Sequence, residues 1–275
     1  VCFAADFSGV KASASRARMS IVVVGGGIAG LAAAWGLGRA RAGAVTLLER
    51  ETQLFAHSSG KNAAIYRSVE SPRAVAELGV RSAALLNELL GSREAWLLPT
   101  GLLLSSRTRA ALEPLAAIST EVGIAHEWID QHELVSRVPS VTGGHATVAL
   151  WIPGGGVLDN HAISTALARE IRARGGCIEL GHDAARVLVE AGRVTGVESN
   201  GEIYRAEAVV IAGGAWASQV GATCDAPLPL TPGSLTTILA PCAAISLATS
   251  APTPRPDPVQ IATRPSSMPI FPLLL

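Results

Sequence analysis

The stretch Ile21-Val22-Val23-Val24-Gly25-Gly26-Gly27-Ile28-Ala29-Gly30 decides the fold. An unbroken β-branched run reads as a buried parallel strand, the glycines as a tight turn, and Leu31-Ala32-Ala33-Ala34-Trp35 as the start of a helix. Each spaced glycine has a separate task. Gly25 permits the turn, Gly27 lets the backbone approach a pyrophosphate, and Gly30 lets the helix pack on the strand. The helix N-terminus adds unpaired N–H groups and a positive dipole end, so an anion is held there without a charged side chain.

Further along, Ala44-Val45-Thr46-Leu47-Leu48-Glu49 reads as a second strand ending in a carboxylate, about 20 residues past the last glycine, the spacing that suits a ribose hydroxyl. Strand, turn, helix, strand and acid in that order predict a dinucleotide site, and Glu49 favours an unphosphorylated ribose over NADP. An NAD-dependent dehydrogenase remains an alternative at this point, because it uses the same fingerprint.

Composition narrows the classes. Lys plus Arg and Asp plus Glu are both 22, so no net field draws nucleic acid or an anionic membrane, and 4% aromatics leave little for base stacking. Cys2, Cys177, Cys224 and Cys242 form no CxxC pair, and His126, His132 and His145 have no ligand spacing; no metal is expected, and a reduced, cytoplasmic setting is. Residues 1–19 read as an N-terminal extension ahead of the first strand, with no apolar core of a secretory signal.

The next informative run is His57-Ser58-Ser59-Gly60-Lys61-Asn62-Ala63-Ala64-Ile65-Tyr66-Arg67, small, polar and suited to a phosphate or a ring edge. Together with the glycine turn and the Glu-ended strand, it resembles the FAD-dependent amine and amino-acid oxidase family that includes glycine oxidase, D-amino-acid oxidase and the sarcosine oxidases. The strand Ala208-Val209-Val210-Ile211 running into Gly213-Gly214-Ala215-Trp216 is similar to a late FAD motif of the same family. The resemblance covers roughly Ser20 to Val220 and implies an α/β protein with a Rossmann-like FAD-binding domain and an interleaved, incomplete α+β substrate domain.

Carried over by position, the resemblance places Ile28 and Ala29 on the diphosphate through their backbone, and Glu49 and Arg50 at the adenosine ribose. Ser58, Ser59, Ala63, Ala64 and Ile65 would line the path to the flavin ring, Ala185 would meet adenine through its main chain, and Gly214 would pass close to the dinucleotide. Arg67 falls where the monomeric sarcosine oxidases grip the substrate carboxylate. No side-chain base is implied. His57 reads as a plain loop histidine.

The resemblance also implies FAD as cofactor, a small amine or amino acid as substrate, and hydride transfer from the carbon bearing the amine. On this reading residues 20–67 and 151–225 build the FAD domain and 68–150 the substrate part. Ser71-Pro72 is expected as N-cap and first position of a helix reaching Gly91, and Thr108 to Val122 as one amphipathic helix. Cys177 to Leu180, Ala185 to Val189, Val194 to Glu198 and Ile203 to Arg205 are expected as the strands of a small β-meander, with Ala191-Gly192 and Asn200-Gly201 as turns.

From residue 226 to 275 prolines crowd the chain and charge is sparse, so regular helix or strand is not expected there. Ser234 to Ala251 is uncharged, but Pro241 and its Ser and Thr argue against stable membrane insertion. Two readings follow, a disordered tail or an altered C-terminal third. Under the second, a catalytically inactive flavoprotein that at most binds FAD is the alternative to a working oxidase.

Overall fold

The structure, a computed structural model, describes residues 19–139, 145–226 and 260–262. Its elements run β1 (Ser20–Val24), α1 (Ile28–Arg39), β2 (Ala44–Glu49), β3 (Ile65–Tyr66), α2 (Arg73–Leu90), β4 (Leu97–Leu98), β5 (Leu102–Ser106), α3 (Glu113–Glu121), β6 (Glu127–Asp130) and α4 (Gln131–Arg137). Then follow β7 (Val148–Ile152), β8 (Gly156–Leu158), α5 (Asn160–Ala173), β9 (Cys177–Leu180), β10 (Ala184–Glu190), β11 (Arg193–Ser199), β12 (Glu202–Arg205), β13 (Ala208–Ile211), α6 (Ala217–Ala222) and β14 (Gln260–Ala262).

The described residues divide into two compact units. One holds residues up to Asn62 and the stretch from Asn160 onward; the other holds Ala63–Asp159 and β14.

In the first unit, β1 is the centre of a parallel sheet of order β13-β1-β2-β9. Val24 lies opposite Ile211 on one side and Leu48 on the other, so the C-terminal ends of three strands open at one edge. A strand buried between neighbours needs apolar side chains on both faces. Ile21, Val22, Val23 and Val24 supply them, all buried. Helices α1 and α5 pack together within this unit, with Leu31, Ala34 and Trp35 buried on α1 and Ile163, Leu167 and Ile171 on α5.

Cys177–Leu180, expected as the first strand of the meander, is β9 and pairs parallel with β2 in this sheet, whereas β10, β11 and β12 form the antiparallel meander. Its turns need positive φ at two successive residues, which Ala191 and Gly192 (49° and 75°) and Asn200 and Gly201 (50° and 81°) adopt. Val187 and Val197 from this meander, Val22, Val24 and Leu48 from the parallel sheet, and Val220 from α6 close one apolar core.

The second unit contains the antiparallel sheet β14-β5-β7-β6 and the small sheet β3-β8-β4. Leu102, Leu104, Leu150 and Ile152 bury one face of the larger sheet with Leu112 and Leu115, whereas Leu103, Ile129 and Ala149 pack with Leu134 of α4. Asp130 caps α4 by accepting a 2.9 Å hydrogen bond from Glu133 N–H.

Three further expectations are corrected here. Pro72 is the N-cap of α2, and the helix begins at Arg73 rather than at the proline. The single helix expected over Thr108–Val122 is a short 3-10 turn, Arg109–Ala111, followed by α3; Pro114 lacks an N–H and suits the first turn of a new helix better than the interior of a long one. Within the proline-rich segment, β14 pairs antiparallel with β5, placing Ile261 opposite Leu104. It occupies the proline-free interval between Pro258 and Pro265, at a sheet edge where such an interval suffices. The rest of that segment, and the N-terminal extension before Met19, lie outside the described residues.

Candidate functional site

The edge where β1, β2 and β13 end carries a cavity of about 330 Å³, wholly within the first unit. Its floor is fixed by backbone bonds: Gly25 N–H donates to Leu48 O and Ala212 N–H to Val24 O, both at 2.8 Å. Gly25 turns at φ +112°. Leu31 N–H then returns to Gly27 O at 3.0 Å and starts α1, leaving the N–H groups of its first turn without helical partners. Those groups give the cavity an anion-attracting end.

Glu49 is only 9% exposed, yet its carboxylate has partners on both oxygens. Oε2 accepts from Gly26 N–H in the glycine turn, and Oε1 accepts from Glu51 N–H at 2.8 Å. Its own carbonyl accepts from His182 N–H at 2.8 Å. Each carboxylate oxygen has a second lone pair, so Glu49 holds the turn and still has acceptor capacity for a hydroxyl in the cavity.

The segment after β2 folds back over the turn. Phe55 N–H donates to Gly26 O at 3.2 Å, and Ile28 N–H donates to Ser59 Oγ at 3.0 Å. Asn62 Nδ2 donates to the carbonyls of Ser58 and Ser59 at 2.7 and 2.9 Å, which curls residues 57–62. Gly60 is required inside that curl, since a Cβ there would stand 2.1 Å from Phe55 O.

Of the residues singled out from sequence, Gly25, Gly27, Ile28, Ala29, Glu49, Arg50, Ser58, Ser59 and Gly214 line this cavity. Gly30 lies beneath it, packed on Gly25. Ile28 N–H is taken by Ser59, so the serine hydroxyl, which keeps its own proton to donate, stands where the Ile28 amide was expected to act. Ala185 directly follows the lining stretch His182, Asp183 and Ala184. Ala63, Ala64 and Ile65 belong to the second unit and do not line the cavity.

Arg67 is also in the second unit. Its Nε lies 2.9 Å from Glu70 Oε2, off the line a hydrogen bond needs, and the side chain is 23% exposed.

Sequence reasoning misses a group at the cavity wall. The guanidinium of Arg50 lies 4.0 Å from the Trp216 ring centroid, and the His57 ring is 4.7 Å from the same indole at 52°. Glu51 Oε1 joins the other two, 2.8 Å from His57 Nε2 and 3.2 Å from Arg50 Nη2. Nothing local announces this arrangement, because Trp216 comes from the other end of the unit's chain. The one signal in the sequence is the basic-acidic pair Arg50-Glu51 beside a nearby histidine.

The Glu51 carboxyl titrates below its ordinary 4.5, chiefly through the hydrogen bond from His57 and then that from Arg50. A lowered carboxyl pKa contributes stability above the ordinary value, and the contribution disappears as pH falls through the lower folded-state value. Carbon-13 NMR of the glutamate carboxyls should therefore show Glu51 titrating below 4.5, with the midpoint moving up in His57→Ala. An unmoved midpoint in that variant would assign the shift to another partner.

Comparison with known proteins fits this geometry. The family model described as DAO, FAD dependent oxidoreductase, matches residues 20–268. The chain belongs to this FAD-dependent oxidoreductase family. The matched span takes in most of the proline-rich segment, so the region that reads as foreign to the family falls inside the family match. Glycine oxidase of Geobacillus kaustophilus is 28% identical over 78% of this chain and 59% of its own length. L-2-hydroxyglutarate dehydrogenase of Escherichia coli is 31% identical over 56% of this chain and 38% of its own. Among solved structures, L-proline dehydrogenase from P. horikoshii superposes with a TM-score of 0.67 at 24% identity, covering 76% of this chain and 56% of that one. The chain thus spans only part of the length of the relatives it matches.

The family's cofactor is FAD, and the cavity suits the adenosine diphosphate half of it. Helix-terminal N–H groups, a glycine at the closest approach, a serine hydroxyl and a carboxylate with spare lone pairs meet in one cavity. At Gly27 an added Cβ would come within 3.1 Å of Ser59 Oγ, so the glycine keeps this space open. Among the described residues no group of His, Cys, Asp and Glu has the arrangement of a metal site. Among them, too, no helix is long and apolar enough to cross a membrane.

Proposed function

We propose that the chain is the FAD-holding and adjoining part of an oxidoreductase that oxidises the C–N bond of a small amino acid or secondary amine. The observation that carries the reading is the convergence of the α1 N-terminus, Glu49 and the Ser58-Ser59 curl on one cavity, in a chain of this family. When bound, FAD supplies the acceptor for the hydride leaving the carbon that bears the amine. The protein's part is to bind and orient.

First-turn amides at Ala29 and the Ser59 hydroxyl hold the diphosphate; Glu49 takes the ribose hydroxyls. Gly214 allows close approach at the end of β13, and the main chain at Ala184 and Ala185 faces adenine. For Ala63, Ala64 and Ile65, a role toward the flavin ring rests on the family resemblance alone. Arg67 anchors the substrate carboxylate. Its guanidinium has, among the described residues, only Glu70 beside Nε, which leaves Nη1 and Nη2 for a carboxylate. Orientation by a fixed carboxylate clamp suffices to aim the α-carbon, and no side-chain base is assigned.

A second reading, oxidation of a 2-hydroxy acid, draws on the relative named L-2-hydroxyglutarate dehydrogenase. Glycine and 2-hydroxy acids share a carboxylate next to the oxidised carbon, so one clamp serves both, and a substrate panel separates them.

The test starts with the visible spectrum of the FAD-loaded chain and release of FAD on denaturation. Glycine, sarcosine, proline and 2-hydroxyglutarate are then offered with a dye acceptor. Turnover of an amine is the expected result; turnover of 2-hydroxyglutarate alone selects the second reading, and FAD uptake without any turnover leaves a binding protein. Arg67→Ala should raise KM for carboxylate substrates about tenfold or more with FAD content unchanged. Loss of FAD in that variant would make Arg67 structural.

A further inference from the structure

Arg50, His57 and Trp216 perform no step in the function proposed above, yet they meet on the cavity wall in one polar and aromatic cluster, with Glu51 behind them. We propose that Trp216 is a positioning residue, whose ring, stacked by Arg50 and His57, clasps the segment after β2 to the turn after β13 and so governs how slowly FAD leaves. The inference rests on the reading of this cavity as the FAD site.

Connectivity singles out this contact. The segment at residues 50–59 is tied to the glycine turn by Phe55 N–H on Gly26 O and by Ser59 Oγ on Ile28 N–H. Toward residues 211–217 it has no hydrogen bond or ion pair among the described residues; the stack on Trp216 is what joins them. Both segments line the cavity, Arg50 and His57 from one and Trp216 from the other. A ligand enclosed by both leaves when they part, so a contact between them acts on the release rate without touching the ligand.

The cluster is built to hold that contact. Glu51 Oε1 accepts from the Arg50 guanidinium and lies 2.8 Å from His57 Nε2, which fixes the guanidinium and the imidazole on one indole instead of letting them wander in solvent. The same residue's N–H donates to Glu49 Oε1, so the clasp is continuous with the carboxylate expected at the ribose. The Trp216 N–H is anchored in its own turn, on Gly213 O at 2.9 Å. Cation–π attraction to indole exceeds that to phenyl, and an aliphatic side chain of similar bulk has none.

The test uses the full chain loaded with FAD and follows the rise of free-flavin fluorescence after dilution. Trp216→Leu should release FAD about tenfold faster, the combined size of one cation–π and one ring–ring interaction, whereas Trp216→Phe stays within about threefold of the parent. Arg50→Gln should also speed release, but add little on the Trp216→Leu background, since the partner is already gone. A direct role for Arg50 on the ligand would persist on that background, and multiplying effects therefore overturn the clasp. So does parental release from Trp216→Leu, or equal release from the Leu and Phe variants. Should Trp216→Leu not fold, Arg50→Gln with its partly exposed side chain remains, and parental release from it overturns the proposal. FAD uptake by the parent with unaltered release in the variants sinks the clasp alone; no uptake by the parent sinks the FAD reading with it.

Discussion

Gly30→Ala should destabilise the chain by about 3 kcal/mol or more and abolish FAD uptake, while Gly36→Ala in the same helix should stabilise it by about 0.5–1 kcal/mol. The substitution is identical in both cases. At Gly30 the new methyl would stand 1.8 Å from Gly25 O and 3.4 Å from Ala212 Cβ; at Gly36 nothing lies within 4 Å. Backbone is the obstacle at Gly30, so no rotamer change relieves it, and α1 must lift off the turn it starts from. Lifting α1 moves its first-turn amides away from the cavity and breaks Ile28 N–H to Ser59 Oγ. At Gly36 the only change is the lower helix propensity of glycine being removed. Urea unfolding of the two variants checks the opposite signs. Equal shifts would mean that α1 does not press on Gly25 as the structure has it.

That contrast shows which parts of the site are legible in the sequence. The place of Gly30 in the fingerprint assigns it to helix–strand packing, and Glu49 falls at the end of a strand that runs Ala44–Glu49. Such features are local: a run of β-branched residues, a glycine spacing, a turn pair such as Asn200-Gly201. Long-range pairings leave no such trace. His57 reads as a plain loop residue because the ring it meets, Trp216, follows β13, and only the parallel register of β1 with β13 brings the two segments together. His182 and Asp183 carry no local signal for the same reason, lying after β9 where the register with β2 sets Glu49 opposite Leu180.

Residue type can also mislead by being apt for two tasks. Arg67 suits a substrate carboxylate, and a carboxylate is already present at i+3 in Glu70. The strand β14 escapes a sequence reading that averages proline density over fifty residues, whereas a strand needs only a short clear interval.

Glu49→Gln should cost about 2–4 kcal/mol of stability even without cofactor, the range for charge-assisted hydrogen bonds to buried donors. Its two oxygens accept from Gly26 N–H and Glu51 N–H. Glutamine keeps one acceptor oxygen but turns an NH₂ toward the other donor, so one amide is left facing a group that cannot accept. Glu49→Asp fares no better, since a side chain one methylene shorter cannot span both amides. The cost differs in kind from the loss of a ribose hydrogen bond. A residue that only held the ribose would leave the unfolding midpoint of the cofactor-free chain unchanged and weaken FAD alone; a residue that also ties Gly26 to Glu51 lowers both. Denaturation of the cofactor-free variant therefore separates the two roles, and an unchanged midpoint would restrict Glu49 to ligand recognition. The dual role also accounts for a carboxylate so little exposed at the lip of a cavity. It is placed there by the turn it holds together, and the hydroxyl-accepting capacity it presents comes from the lone pairs the turn leaves unused.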